Sequence, residues 1–193
     1  MRKSTTIQAK VMDEIRDRKS KRAYASTTIA ESDIKSLFEA ARWAPSSMNE
    51  QPWTYIYATQ QEQPELWNDI LSTLNESNRV WAAAAPLLIV SLVRRNLLRN
   101  NLPNGSAKYD LGAANAFLSL QAAHLGLNIH QMGGYDREKA KQILNIPEAY
   151  DLGVIMAVGY PGDADLLPEN LKQRELAPRE RYEQDEFVMT RRF

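Results

Sequence analysis

Ala41-Arg-Trp-Ala-Pro-Ser-Ser-Met-Asn-Glu-Gln-Pro-Trp53 closes one amphipathic segment and opens a β-rich one. Pro45 stops the helix before it, because proline cannot donate to the preceding turn. Ser46, Ser47 and Asn49 then crowd short hydrogen-bonding side chains into one turn. Pro52 starts an extended run, Trp53 to Ala58. A helix-to-strand joint with that many small polar groups suits a polar ring system, although an ordinary turn has the same composition.

Outward from this joint, helical and strand patterns interleave. On the N-terminal side, Ile7, Val11 and Ile15 recur four apart, which predicts one stripe of a first helix. Thr28-Ile-Ala-Glu31 has the form of a capping box ahead of a helix with Ile34, Leu37, Phe38 and Ala41 on its buried face. On the C-terminal side, Pro64 to Leu74 reads as a helix, and Asn75 to Ala85 as a short Ala-rich one. Leu87 to Val93 is continuously apolar, the pattern of a central strand covered on both faces. Arg94 to Lys108 reads as a polar surface loop, long enough for a mobile lid. Tyr109 to Leu125 predicts a helix apolar nearly all round, buried either inside the domain or in a subunit interface and ended by Gly126. Asn128 to Met132 is a short strand, Asp136 caps the next helix, and Leu152 to Gly159 is another buried strand. Phe187-Val-Met189 has the composition of a last strand. With no repeat and no linker, one domain over residues 1–193 is expected.

The bulk numbers exclude several function classes. Lys+Arg and Asp+Glu are both 24 in 193 residues. A zero net charge supplies no global field for nucleic acid or an anionic membrane, so any anion site is local. No cysteine is present, which removes disulfides and thiolate chemistry and fits a cytoplasmic location. The first ten residues lack the apolar core of a signal peptide. The apolar run from Trp81 to Val93 is too short to span a bilayer. Two histidines without HExxH spacing make a metal site unexpected. A Walker loop and a G-x-G-x-x-G fingerprint are both missing.

Four segments have the chemistry to hold a phosphorylated flat ligand: the basic run Arg18-Lys19-Ser20-Lys21-Arg22, the turn at 45–49, Gly133-Gly134, and Arg179-Glu-Arg181. Arg18, Ser20 and Arg22 alternate, so an extended backbone turns them to one side. Paired arginines suit a phosphate, which accepts several charged donors. A glycine pair lets backbone N–H groups approach a ring edge. Taken singly, each segment is also compatible with solvated charge or a plain turn.

Taken in order, the segments resemble the FMN-dependent nitroreductase family. Arg18-Lys-Ser-Lys-Arg-Ala-Tyr24 resembles its R-x-S-x-R/K-x-F/Y motif, and Ala44-Pro-Ser-Ser-Met-Asn-Glu-Gln-Pro-Trp53 its A-P-S-S-x-N-x-Q-P-W motif. Asp110-Leu-Gly with Leu125-Gly-Leu127 is similar to its central helix, Met132-Gly-Gly-Tyr-Asp136 to its M-G-G-F-type turn, and Arg179-x-Arg181 with Phe187-Val188 to its C-terminal phosphate-binding segment. The resemblance implies an α+β, three-layer α/β/α sandwich with a mixed central sheet, built as an intertwined homodimer. Residues from about 166 to 193 would form an arm embracing the partner.

It also implies FMN as the bound cofactor and NAD(P)H as reductant. Arg18, Ser20, Arg179 and Arg181 would hold the phosphate and ribityl end, with Lys19 beside them. Arg22 would lie near the N1/O2 edge, where a cation favours the reduced ring. Pro45, Ser46, Ser47 and Asn49 would come from the partner, and Gln131 and Met132 would lead to the backbone N–H of Gly133 or Gly134 facing N5. The implied reaction is a ping-pong hydride transfer to nitroaromatics, quinones or similar electron-poor acceptors, with no catalytic side chain required. A non-turnover flavin sensor, or a dehalogenase or dehydrogenase on the same fold, is the alternative. Three departures stand out: Phe117 sits where the family often has a polar residue, Val80 lies near the place of a ring-edge lysine, and Gln131 replaces a proline.

Overall fold

The structure is a computed structural model and describes residues 1–192; Phe193, the last residue of the expected arm, lies outside the described residues. Leu87–Arg94 (β3) organises it, as its unbroken apolar run predicts. Every residue of this strand except Arg94 is buried. It pairs on one side with β2 (Trp53–Thr59) and on the other with β5 (Tyr150–Gly159), which pairs with β4 (Asn128–Met132), giving the order β2-β3-β5-β4. All three ladders are antiparallel. The parallel pairing of a mixed sheet is therefore not formed within this chain among the described residues.

Because side chains alternate across a strand, β3 feeds two cores. Leu88, Val90 and Leu92 pack with Ile155 and Ala157 under α3 (Pro64–Thr73), α4 (Glu76–Ala82) and α6 (Arg137–Ile143). Leu87 and Ile89 pack with Met156 and Val158 under α2 (Glu31–Arg42) and α5 (Ala107–His124). The result is helices, sheet, helices: three layers. Burying each such side chain contributes about 1.5–3 kcal/mol.

Ser91 is the one polar residue buried in β3. Its hydroxyl accepts from Val154 N–H and donates to Val154 O, both at 2.9 Å. The register slips there, between Val90 and Leu92. Gly153 lies opposite, where a Cβ would stand 2.5 Å from Ser91 Oγ and 2.7 Å from Leu111 Cδ2. The serine thus serves as the extra partner that a bulged strand lacks.

Several expectations are corrected. The first helix, α1 (Asp13–Asp17), buries nothing and omits Ile7 and Val11, both exposed. Thr28 does not cap α2: the backbone stays extended through Ala30, which occupies the N-cap without a side-chain bond. Helix α5 is not buried all round within one chain, which removes the first of its two expected settings, the domain interior, and leaves the second, a subunit interface. Its inner face is covered, but Tyr109 is 83% and Phe117 40% exposed on the outer one. The 94–108 loop is tied down, with Leu97 N–H donating to Leu102 O at 2.8 Å and Leu98 N–H to Glu50 Oε2 at 2.9 Å. Phe187 to Met189 forms no strand and is exposed, since no strand edge lies alongside to accept it. Instead Lys3–Ser4 (β1) pairs with Arg181–Tyr182 (β6), joining the two ends of the chain. Among the described residues, no helix is long and apolar enough to cross a membrane.

Candidate functional site

The alternating basic run and the C-terminal arginine pair converge. Arg179 donates to the carbonyls of Arg18 and, at 2.6 Å, Arg16, so the tail clamps the N-terminal motif by its backbone. Arg181 follows within β6. Arg18 reaches Ser20 Oγ at 3.5 Å. Arg18, Arg179 and Arg181 line a hollow of about 340 Å³ whose apolar wall includes Ile15 and Leu120. Burial holds the Arg18 guanidinium below its ordinary range, and Arg179 and Arg181 push it the same way. None of the three forms an ion pair among the described residues. Such mutual repulsion is relieved by an anion, and bidentate donors favour phosphate or carboxylate. Lys19 is exposed and is not brought into this hollow.

Arg22 points into a neighbouring hollow of about 270 Å³, with Trp81, Ser77, Asn78 and Arg174. Its guanidinium lies 5.9 Å from the Trp81 ring. On the indole's other neighbour, His130 packs with ring centroids 4.5 Å apart. Behind the motif, the Glu175 carboxylate accepts the backbone N–H of Arg22 at 2.9 Å and of Ala23 at 3.4 Å. It comes from α7 (Glu169–Leu176) and is buried. Glu175 is thereby the clasp that fixes the second half of the basic run. Nothing in the sequence pattern marks it, because the tail from Leu166 onward has no helical periodicity from which to expect α7.

Gly133 and Gly134 follow β4 at the edge of the sheet. Neither glycine's N–H has an acceptor among the described residues. Space around Gly133 is open, whereas a Cβ on Gly134 would meet the Asn75 and Asn78 amides at 2.5 and 3.0 Å. Asn78 Nδ2 donates to Gly134 O at 3.0 Å. The residue of α4 bonded to the glycine turn is thus Asn78, while Val80, 55% exposed, lines the Arg22 hollow. The clue available in the sequence is Asn75, which caps α4 by accepting from Asn78 N–H and so sets both amides on one turn. Met132 is buried, and Gln131 donates to Ser119 Oγ at 3.0 Å while lining a third cleft of about 560 Å³ with Asn115 and Gly153. Asn115 is the polar residue inside the central helix, bonded to Tyr55 OH at 2.9 Å. Phe117 faces away from it, so its position carries no loss of an internal polar group.

The turn at 45–49 does not join these groups within one chain. Ser47 N–H donates to Asp110 Oδ2 at 3.2 Å, at the start of α5. The arginine hollow lies against Leu120, ten residues on, a separation of about 15 Å along a helix. The turn is also the most strained stretch of backbone: Met48, Asn49 and Gln51 have φ of 54°, 56° and 46°. Left-handed non-glycine residues cluster where a loop is held for function.

Comparison with known proteins follows the same outline. The model of the nitroreductase family matches residues 15–160. An Archaeoglobus fulgidus protein named provisionally as an NADH dehydrogenase/NAD(P)H nitroreductase is 29% identical over 154 residues, covering 76% of this chain and 82% of that protein. A solved structure described as an oxidoreductase containing FMN is 30% identical, superposes with a TM-score of 0.91, and covers 97% of this chain and 95% of its own. A nitroreductase family protein from Streptococcus pneumoniae shares the fold at 18% identity, with a TM-score of 0.75 over 93% of this chain and 98% of its own. With the family model matching most of the chain, this protein belongs to the nitroreductase family.

Proposed function

We propose that this chain binds FMN and acts as an NAD(P)H-dependent flavin oxidoreductase, as a single-domain homodimer. The observation that carries the reading is the cluster of Arg18, Arg179 and Arg181 around one hollow, with no ion pair among the described residues, together with two glycine N–H groups after β4 that have no acceptor among the described residues. The FMN-containing solved relative supports the choice of cofactor. Arg18, Ser20, Arg179 and Arg181 hold the phosphate and relieve their own repulsion in doing so. Arg22 sets a positive charge at the pyrimidine edge of the ring. Gln131 and Met132 lead the backbone to Gly133 and Gly134, which present N–H donors toward N5 without a side chain in the way. Pro45, Ser46, Ser47 and Asn49 reach the site from the partner subunit's α5 end. The exposed outer face of α5, with Tyr109 and Phe117, forms the contact between subunits, and residues from about 166 onward act as the embracing arm.

When bound, the flavin supplies the hydride chemistry, taking hydride from NAD(P)H and giving it to a nitroaromatic, quinone or similar electron-poor acceptor in ping-pong order. The protein therefore needs no nucleophile or acid–base pair of its own. Its work is to hold the phosphate, fix the ring edge and shape the cleft where donor and acceptor alternate.

One preparation tests this. The purified protein should be yellow, bleach on anaerobic addition of NADH or NADPH, and consume reductant continuously when menadione or a nitroaromatic is added. A colourless protein that takes up no FMN overturns the cofactor. A protein that holds FMN but turns over no acceptor overturns the reaction and leaves a flavin carrier.

A further inference from the structure

Helix α7 brings two opposite charges to the Arg22 hollow, and neither has a role in the motifs. Arg174 lines the same 270 Å³ hollow as Arg22, Asn78 and Trp81, is exposed at its mouth, and forms no ion pair among the described residues. Glu175, the next residue, is buried on the other side of Arg22. Its side chain is 3% exposed, 3.9 Å from the Arg22 guanidinium and 3.7 Å from Lys21 Nζ. Consecutive helical residues lie about 100° apart, so they do not share a face. Here one reaches the solvent side of the hollow and the other passes behind the chain. Asn78 lines this hollow and also donates to Gly134 O at 3.0 Å, so the hollow that holds Arg22 adjoins the glycine turn.

We infer that the Arg174–Glu175 pair sets the electrical potential at the ring edge of the flavin site, Glu175 by fixing Arg22 and offsetting its charge, Arg174 by adding a second positive charge. The inference rests on the FMN reading above. Its physical basis is simple. Reduction of a flavin deposits negative charge at the pyrimidine edge, so a nearby cation favours the reduced form and a nearby carboxylate opposes it. Glu175 is buried and Arg174 exposed, so the effect of Glu175 is less screened. Asn78 stands next to the glycine turn as a neutral amide. Arg174 then takes the role of the second cation beside Arg22.

The test is the midpoint potential of the FMN-loaded protein, measured by equilibration with a reference dye at low ionic strength. Glu175→Gln removes the charge and keeps one oxygen for the Arg22 N–H, the shorter of the two bonds at 2.9 Å, while its amide nitrogen replaces the oxygen that accepts Ala23 N–H at 3.4 Å. It should raise the potential by an amount corresponding to roughly a tenfold gain in the reduced-to-oxidised ratio, about 30 mV for a two-electron couple. Arg174→Gln, at an exposed position, should lower the potential by a smaller amount and should lose this effect at high salt. Glu175→Asp should stay near wild type. Opposite signs for the two neutralising variants are the signature, because loss of packing alone moves both the same way or neither. Should Glu175→Gln fail to fold, an Arg174→Gln potential equal to wild type at low salt overturns the proposal by itself. Shifts of the same sign, or no shift in Glu175→Gln, also overturn it. Failure of the wild type to bind FMN sinks the function reading instead, which keeps the two outcomes apart.

Discussion

Asn78 donates its side-chain amide to the Gly134 carbonyl at 3.0 Å and so fastens α4 to the turn that follows β4. The same carbonyl accepts Asn75 N–H at 3.2 Å. One peptide oxygen thus anchors two residues of a short helix whose N-cap is Asn75. The adjacent glycine, Gly133, is left with open space around it. One glycine of the pair is there for packing and the other for access.

Alanine at each position separates these roles. In Gly134→Ala the new methyl would stand 2.5 Å from Asn75 Nδ2, so the cap must shift. Loss of the cap and the Asn78 bond should destabilise the protein by about 2 kcal/mol in urea unfolding. Gly133→Ala should leave stability within about 0.5 kcal/mol of wild type, as for an unobstructed surface change, but should purify with less flavin. Full flavin occupancy in Gly133→Ala would mean that no ring approaches this backbone.

A second anchor connects the strained turn to the 94–104 loop. Glu50 Oε2 accepts Leu98 N–H at 2.9 Å and lies 3.4 Å from Arg94 Nη2, with the carboxylate side chain 7% exposed and Arg94 18%. Removing one partner of a mostly buried pair leaves the other charge stranded. Glu50→Ala should therefore cost about 3 kcal/mol and speed amide hydrogen exchange in residues 95–104. Unchanged exchange there would show that the Asn96–Pro103 bridge holds the loop alone.

Long apolar periodicity was legible in the sequence, and contacts between distant polar groups were not. The β3 run and the Ile34, Leu37, Ala41 stripe signal themselves because burial needs a repeating apolar face. The basic run, the polar turn and the arginine pair were visible as residue types, and the fold brings Arg18 to Arg179 and Arg181. Neither Glu175 nor Asn78 is marked in the sequence: the tail around Glu175 shows no helical period, and Asn78 sits in a short helix where a solvated polar face is the ordinary expectation. Their roles come from what the fold sets beside them, a pair of backbone N–H groups for one and a glycine carbonyl for the other. The β1–β6 pairing was invisible for the same reason: two residues from each end carry no period. Conversely, Phe187 to Met189 has strand composition but pairs with no strand among the described residues, and composition alone does not make a strand.

His130 gives the protein a pH-dependent component of stability. Burial pushes its pKa down to about 4, with Arg22 and Arg174 adding to the effect, while the bond to the Lys21 carbonyl opposes it. An unfolded histidine titrates near 6.5. Between these values the unfolded chain binds a proton that the folded one refuses, so this contribution is complete above about pH 6.5 and is lost as pH falls toward 4. Discounted for partial exposure, it amounts to about 2 kcal/mol. His130→Phe keeps a ring against Trp81 and should remove this slope from the urea midpoint between pH 6.5 and 4. A slope that persists unaltered would assign it to the surface carboxylates.

The two ends of α5 permit a test of subunit sharing. If the turn near Asp110 serves the partner's arginine hollow, flavin binding and assembly depend on each other in one direction only. Phe117→Arg places a charge on the exposed outer face and should yield a monomer in size-exclusion chromatography, with flavin lost because the turn no longer reaches the site. Arg18→Ala combined with Arg181→Ala removes two charged donors, each worth about 1.5–3 kcal/mol, and should weaken FMN binding more than a hundredfold while the protein still elutes as a dimer. A Phe117→Arg monomer that retains FMN as tightly as wild type would show that one chain completes the site, and that the strain at Met48, Asn49 and Gln51 serves some other contact.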